Sequence, residues 1–465
     1  MLRFHNTLSG RLEPFTPLHP PRVNMYSCGP TVHDYAHIGN FRTFVFMDIL
    51  QRTLRARGYD LQYIMNITDI DDKTIAKSAA AGVSLADYTE KYTAAFFEDF
   101  DTLRIQRPDV ICKATEHIPE MTRLVQILLD RGLAYVSDGS VYFKIAAFPE
   151  YGKLSKKDFD GLRSGARVDV DEYDKENARD FVLWKGKKEG EPHWETTFGD
   201  GRPGWHLECS AMSMAYGGQT LDIHCGGADL VFPHHENEIA QSEGATGETF
   251  VRFWLHSEYL IVNGEKMSKS TGNFYTLRDL TDKGHNPVAI RYLLMSTHYR
   301  KQLNFTEEGV RQAQAALDRI HEFVDNLGRR KLPAGDHRDM TDLCDAAARR
   351  FDEALDDDLN TAAAQAALFD FIRDVNRRLD AGEVGETDRA RVMAFIGKMD
   401  AVFDILPAAD DAAAEADADI AALVKQREEA RRTKNWAEAD RIRDELAARG
   451  VILKDTPEGT VWKKN

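Results

Sequence analysis

Within a few residues near the N-terminus the hydrophobic pattern switches from a strand to a helix, and that switch limits the fold more than any other feature. Val23 to Tyr26 is short, apolar and β-prone, and it ends in Cys28-Gly29-Pro30. From Gly39 onward Phe41, Val45, Phe46, Ile49, Leu50 and Leu54 recur at helical spacing. A strand, a tight turn and a helix N-terminus in succession present free backbone N–H groups to a phosphate. Cys28, His33 and His37 stand at the same turn. A buried strand-to-helix connection with incidental polar residues would carry the same pattern, so this stretch alone leaves both readings open.

At 465 residues the chain is too long for one compact core, and about two to four domains are expected. With 43% hydrophobic and 29% charged residues it has the balance of a soluble globular protein. No apolar run is long enough to span a bilayer, and no charged-then-apolar leader opens the chain. The expectation is a cytoplasmic protein without a membrane partner. Five cysteines, an odd number spread from Cys28 to Cys344, point to free thiols or metal ligands rather than a disulfide framework. A net charge of −16 excludes a surface coated in basic residues, while a local basic patch for nucleic acid remains compatible with it.

Downstream, Tyr59 to Asn66 reads as a strand, and the polar run Thr68-Asp69-Ile70-Asp71-Asp72-Lys73 sits just past its end, where open α/β sheets take ligands. The same residues also suit the cap and acidic first turn of a following helix. Thr89 to Leu103 and Ile118 to Leu129 have helical spacing, and Ala134 to Ile145 reads as a strand pair around Ser137-Asp138-Gly139-Ser140. Tyr151 to Pro203 is charged, Gly-rich and weakly periodic, the texture of an insertion rather than of the sheet. Sheet texture returns at Thr220 to His224, then a helix is expected to carry Phe232 to Glu238, and Phe253 to Val262 is another strand. Beyond Phe305 the apolar stripes Val310, Leu317, Ile320, Val324, Leu327, then Leu343, Phe351, Leu355, then Leu368, Ile372, Val375, Leu379 predict a helical bundle. Pro407 to Asp419 has almost no large apolar residues and reads as a linker. The last segment, from Ile420, holds 11 Lys/Arg against 8 Asp/Glu in an otherwise acidic chain. That reversal favours a basic module for an anionic partner over a merely solvated helix.

Two groups of residues carry chemistry. His234 and Glu238 are four apart on the expected helix and share a face. Cys28 and Cys209 come within reach if the sheet joins the segments, and all four side chains are zinc ligands. His224, Cys225, His235 and Glu236 compete for the same role, and a surface His/Glu pair would look identical. The second group is Lys266-Met267-Ser268-Lys269-Ser270 followed by Thr271-Gly272-Asn273, a loop whose lysines suit a mobile clamp on a polyphosphate.

His37-Ile38-Gly39-Asn40 resembles the HIGH signature, and Lys266 to Ser270 matches KMSKS residue for residue; together they mark the class I aminoacyl-tRNA synthetases. Within that class, Tyr26 to Val32, Asn66 to Lys73, Gly204 to Ser210 and Phe232 to Glu238 resemble the cysteinyl-tRNA synthetase family. The likeness covers the whole chain, including Ala439-Asp440-x-Ile442-Arg443-Asp444 and Asp455-Thr456-Pro457-x-Gly459. One departure is Asn40 in place of the last His of HIGH, which suits binding rather than acid catalysis.

The resemblance implies an α/β fold. A Rossmann-like parallel-sheet catalytic domain spans 1–305, with a connective insertion over about 118–203, a tRNA-contacting helical bundle over 306–406, a linker over 407–419 and a small C-terminal anticodon-binding module over 420–465. It implies ATP-dependent ligation of L-cysteine to tRNA(Cys) through cysteinyl-adenylate, by a monomer. One zinc per chain falls on Cys28, Cys209, His234 and Glu238. His37, Asn40, Lys266 and Lys269 take catalytic roles; Gly39, Gly227, Asp229 and Lys269 bind ATP, which arrives with Mg2+; Gly29, Thr68, Trp205 and His224 bind cysteine. Discriminating cysteine from serine by a factor of order 10⁴ requires about 5.5 kcal/mol, which a metal–thiolate bond supplies and packing one atom does not, so no editing domain is expected. Two alternatives keep the same residues: a ligase joining cysteine to an amino sugar, and a non-catalytic paralogue that binds RNA or nucleotides. The roughly 160 residues beyond Phe305 argue against the first, and the intact Lys266–Ser270 loop with all four implied ligands argues against the second.

Overall fold

Strands buried on both faces are near-continuous apolar runs, and most strands of the main sheet here are of this kind, the edge strand Val110–Lys113 being half-buried. The computed structural model describes residues 1–156, 180–268, 272–407, 411–456 and 459–464. The chain forms two compact units, Met1–Ile405 and Leu406–Asn465. In the first, strands Val251–Ser257, Leu221–Gly227, Arg22–Ser27, Asp60–Ile67 and Val110–Lys113 lie side by side in that order, all parallel. The chain thus starts in the middle of the sheet, adds two strands on one side, and returns to add two on the other. The reversal opens a crevice at the C-terminal ends of Arg22–Ser27 and Leu221–Gly227, where doubly wound sheets bind ligands.

The first crossover is helix Ile38–Ala56, which buries Phe41, Val45, Leu50 and Leu54. His37 caps it: His37 Nδ1 accepts from the Asn40 N–H and Asn40 Oδ1 accepts from the His37 N–H, both at 3.1 Å. On the side of the sheet that bears Tyr26 and Ile64, helices Ile118–Asp130 and Trp205–Gly217 complete a continuous apolar core.

Between the outer strand Val110–Lys113 and the returning strand, the chain builds a separate antiparallel sheet. Its strands are Ala134–Ser137, Ser140–Phe143, Phe181–Gly186 and Gly201–Pro203, in that order. Its first hairpin turns through Asp138 and Gly139, both at positive φ (45° and 76°), the conformation that matches the twist of paired strands. The charged stretch 157–179 of the expected insertion lies outside the described residues. Asp72 ties this sheet to the main domain, accepting from Lys185 Nζ at 2.7 Å and pairing with Arg202. Burial pushes the Asp72 carboxyl up, and these two cations overcome that and hold it at about 2.

The expected strand Phe253 to Val262 is two strands in different sheets: Val251–Ser257 in the main sheet and Leu260–Val262 in a three-stranded sheet with Glu265–Lys266 and Leu303–Phe305. An Asn263-Gly264 turn, with φ of 53° and 81°, delivers Lys266. Helices Glu307–Arg329, Arg338–Asp356, Thr361–Asp380 and Glu386–Phe403 follow, and Phe323 rather than Val324 completes the buried stripe of the first. A buried ion cluster joins them to the sheet domain. Arg291 Nη2 meets Asp48 Oδ2 at 2.5 Å, Arg291 Nε donates to Phe403 O at 2.7 Å, and Arg52 bridges Asp48 (2.9 Å) and Asp404 (2.7 Å).

The second unit corrects one expectation. The expected linker 407–419 is helical in part: a 22-residue helix, Asp411–Arg432, begins inside it. Alanine, the strongest helix former, dominates there, and acidic residues stand at the N-terminal end, where the helix dipole favours them. The unit adds helix Trp436–Ala448 and the hairpin Val451–Thr456/Gly459–Lys464 around Ile420, Val424, Ile442, Leu446 and Val451. Part of the expected Pro457-Glu458-Gly459 turn, residues 457–458, lies outside the described residues. No described helix is long and apolar enough to cross a membrane.

Arg291→Met leaves Asp48 buried with one of its two arginine partners gone and removes three backbone contacts. A loss of about 3–5 kcal/mol is expected for breaking such a pair, read as an earlier urea unfolding midpoint of the first unit.

Candidate metal centre and nucleotide crevice

Cys28 follows the central strand at the crevice, Cys209 lies on helix Trp205–Gly217, and His234 and Glu238 flank the start of helix Glu236–Thr246. Their ligand atoms all lie within 4.8 Å of one another, and all four residues are buried. Cys28 Sγ is 3.7 Å from Cys209 Sγ and 3.7 Å from Glu238 Oε1, and His234 Nε2 is 3.2 Å from Glu238 Oε1. The expected helix over Phe232 to Glu238 is broken: Phe232 is extended (φ −143°, ψ 129°) and regular helix starts only at Glu236. Pro233 explains this, because the residue before a proline is pushed out of the helical region. His234 still falls one turn before Glu238.

These dimensions suit a tetrahedral ion. Two sulfurs at about 2.3 Å from a common centre stand about 3.8 Å apart, whereas a disulfide would bring them to about 2.05 Å. His234 Nε2 is buried and makes no hydrogen bond among the described residues, its contact with Glu238 being an ion pair only, while its Nδ1 is held by His206 Nδ1 at 2.9 Å. The Trp205 ring packs over His234 at 4.1 Å, tilted 31°, and is itself 37% exposed. Burial, above all, raises the Cys28 and Cys209 thiols and the Glu238 carboxyl and lowers the His234 imidazole. A metal ion offsets that cost for the charged ligands by supplying the missing positive charge.

The competing residues separate by their partners. Glu236 accepts from the backbone N–H groups of Gly152 (2.9 Å) and Ser155 (2.7 Å), so it anchors that segment. Cys225 joins neither cluster of potential ligands. His224 and His235 form a second possible set with Cys28 and Glu238. His224 Nε2 is 2.9 Å from Glu238 Oε2, and His224 stacks on Trp254 at 4.5 Å. His235 Nδ1 bonds His256 Nε2 at 2.8 Å, and His256 Nδ1 bonds Thr7 Oγ1 at 2.7 Å. This imidazole chain behind Glu238 has no single-sequence signal, because its members lie on two strands and a helical turn.

The polar run after Asp60–Ile67 divides in the same way. Asp71 caps helix Asp72–Ala81, and Asp69 accepts from Thr115 N (3.0 Å) and Oγ1 (2.5 Å). Thr68 is buried, its hydroxyl 2.7 Å from Glu208 Oε2. Gly29 donates its N–H to Asn66 Oδ1 at 2.8 Å, and a Cβ there would lie 1.7 Å from Asn66 O. Only glycine permits that approach.

On the nucleotide side, the two signature stretches meet. A Cβ on Gly39 would come within 3.2 Å of Met267 Cε and 3.0 Å of the His37 ring. The Ile38 N–H donates to Tyr275 O at 2.9 Å, and the Phe274 and His37 rings lie 5.3 Å apart. Asn273 closes the neck of the lysine loop, accepting from Ser268 N (2.8 Å) and donating to Lys266 O (3.2 Å). Lys266 is exposed, while Lys269, Ser270 and Thr271 lie outside the described residues. After Leu221–Gly227, Asp229 folds back so that a Cβ on Gly227 would sit 2.3 Å from its Oδ1. Desolvation raises the Asp229 carboxyl pKa, and the Lys266 charge opposes it.

Residues 14–315 match the family model for the tRNA synthetases class I (C) catalytic domain, 350–407 the DALR domain, and 413–462 the cysteinyl-tRNA ligase anticodon binding domain. The cysteine–tRNA ligase of Solibacter usitatus is 53% identical over 463 residues, covering 100% of this chain and 99% of that protein. The chain belongs to the cysteine–tRNA ligase family. A second member, from Koribacter versatilis, is 48% identical over 492 residues, covering 100% of this chain and 99% of that protein. Among solved structures, a Mycobacterium tuberculosis methionyl-tRNA synthetase in complex with methionyl-adenylate aligns with a TM-score of 0.61 at 15% identity, over 83% of this chain and 90% of that one. A LeuRS from Agrobacterium radiobacter K84 gives 0.60 at 11%, over 84% and 85%. These two share the class I fold with the cysteine–tRNA ligase family.

Because Cys28 and Glu238 belong to both candidate ligand sets while Cys209 belongs to one, the two cysteines should differ. Metal analysis of the purified chain is expected to find about one divalent ion. Cys28→Ala abolishes it, and Cys209→Ala leaves a weaker, chelator-sensitive remainder; equal loss in both variants means that the set with His224 and His235 does not hold the ion.

Proposed function

We propose that the chain charges tRNA(Cys) with cysteine in two steps. The cysteine carboxylate attacks the α-phosphate of ATP to give cysteinyl-adenylate and pyrophosphate, and the cysteine then passes to the terminal adenosine of the tRNA. The observation that carries this is the meeting, at one crevice, of the Cys28 cluster, the N-terminus of helix Ile38–Ala56 and the Lys266 loop.

His37, Gly39 and Asn40 hold ATP phosphates at the helix N-terminus, where backbone N–H groups and the helix dipole favour negative charge. Asn40 already gives its side-chain oxygen to the His37 N–H, which suits a binding role and the shaping of that terminus. Lys266 and Lys269 offset the charge that grows on pyrophosphate as it leaves. Gly227 lets the nucleotide approach the backbone, and Asp229 accepts from the ribose hydroxyls. Gly29, Thr68 and Trp205 surround the cysteine, while His224, buried against Glu238, steadies that carboxylate. Cys28, Cys209, His234 and Glu238 would hold one zinc. When bound, such an ion is a Lewis acid that takes a thiolate readily and a neutral hydroxyl poorly, which separates cysteine from serine.

On this proposal residues 1–305 are catalytic, with the antiparallel sheet as a connective insertion. The bundle over 306–406 and the C-terminal module contact the tRNA. The protein works as a monomer in the cytoplasm, with Mg2+ carried in on ATP.

The test is ATP–pyrophosphate exchange followed by transfer to tRNA. Incorporation of labelled pyrophosphate into ATP depends on cysteine and not on serine, and labelled cysteine then passes to tRNA. Exchange without transfer means a different acceptor, and no exchange means a binding protein. Lys269→Ala is expected to lower exchange by about 100-fold or more while leaving cysteine binding nearly intact; an equal loss of both removes the lysine from the leaving-group role.

A further inference from the structure

A chain of hydrogen bonds of fixed direction runs beside the metal centre and ends on a carboxylate that has no role in the reaction as described. It starts at the Gly29 N–H, which can only donate and therefore fixes the Asn66 amide with Oδ1 facing it at 2.8 Å. The Asn66 Nδ2 then faces Thr68 Oγ1 at 3.2 Å and donates to it. The Thr68 hydroxyl has one hydrogen, and it goes to Glu208 Oε2 at 2.7 Å. Asn66, Thr68 and Glu208 are all buried, Glu208 completely.

Two acceptor positions are left over. A hydroxyl has two lone pairs, and Asn66 occupies one of those on Thr68. Glu208 Oε1 is buried with no hydrogen-bond partner among the described residues. The nearby Lys185 ammonium is bonded to Asp72 at 2.7 Å. Two buried acceptor positions without a donor suit an ammonium group and disfavour an anion. The location fits as well. Gly29 follows Cys28 and Glu208 precedes Cys209 in the chain, so the bond chain is covalently adjacent to two of the four candidate ligands. In free cysteine the ammonium and the thiol stand on neighbouring carbons.

We propose that Glu208 is a positioning residue: by taking the Thr68 proton it locks the Thr68 hydroxyl as an acceptor for the α-ammonium of the amino-acid substrate. This rests on the reading that cysteine is the substrate and Thr68 lines its pocket. Glu208 acts through Thr68. The site therefore reads both ends of the substrate, the thiol at the cysteine cluster and the ammonium at Thr68.

The discriminating pair of ligands is cysteine and 3-mercaptopropionate, which keeps the thiol and carboxylate and lacks the ammonium. In cysteine-dependent exchange, Glu208→Met is expected to raise the KM for cysteine about 10- to 100-fold with the KM for ATP unchanged. The inhibition constant of 3-mercaptopropionate should stay within about 3-fold. Glu208→Gln, which keeps an acceptor for the Thr68 proton, should restore cysteine binding to near the unmodified value. Thr68→Val should show the same selective loss, and it is the remaining arm if the Glu208→Met protein does not fold. Weakening of cysteine and 3-mercaptopropionate by equal factors, or a Gln variant as impaired as the Met variant, overturns the proposal. Absence of cysteine-dependent exchange in the unmodified protein overturns the substrate reading instead.

Discussion

A carboxylate in a dry interior needs positive charge or donated hydrogens, and Glu238, completely buried, collects its neighbours on that basis. Cys28, His224, His234 and His235 all bring a ligand atom to it. They come from the end of the first parallel strand, from the returning strand and from the turn before the Glu238 helix. Only a sheet entered at its middle strand and left in both directions brings those chain ends together. The five-strand order, the crevice and the cluster therefore describe one constraint at three scales.

The same crevice brings the two phosphate-binding stretches together. Gly39 has no side chain because Met267 and the His37 ring fill that space, and Tyr275 supplies an acceptor to the helix that His37 caps. Asn273 pins both ends of the lysine loop, so its base is fixed where the helix N-terminus opens. Lys266 reaches this region on an Asn-Gly hairpin, a turn that matches the twist of its strands.

Much of this was legible in the sequence. The change from strand to helical spacing around Cys28 marks the central strand and first helix, because parallel strands and amphipathic helices bury different periods. The four-residue interval from His234 to Glu238 predicts their proximity, although the helix assumed to set it is broken by Pro233. What was not legible depends on partners far along the chain. Glu208 reads as an ordinary helix residue until Thr68, just past the end of strand Asp60–Ile67, is placed against it. His235 and His256 join only when the turn before the Glu238 helix packs on strand Val251–Ser257. The helix that begins within 407–419 was hidden for a local reason: low apolarity reads as a linker, but alanine makes helix without a large apolar face.

Zinc K-edge X-ray absorption on the purified protein tests the cluster most directly. Cys28, Cys209, His234 and Glu238 as ligands predict two sulfurs at about 2.3 Å and two lighter atoms at about 2.0–2.2 Å. One sulfur with an excess of nitrogen would move the ion to the His224 and His235 set, and a protein that binds no zinc yet charges tRNA with cysteine would contradict the metal centre outright.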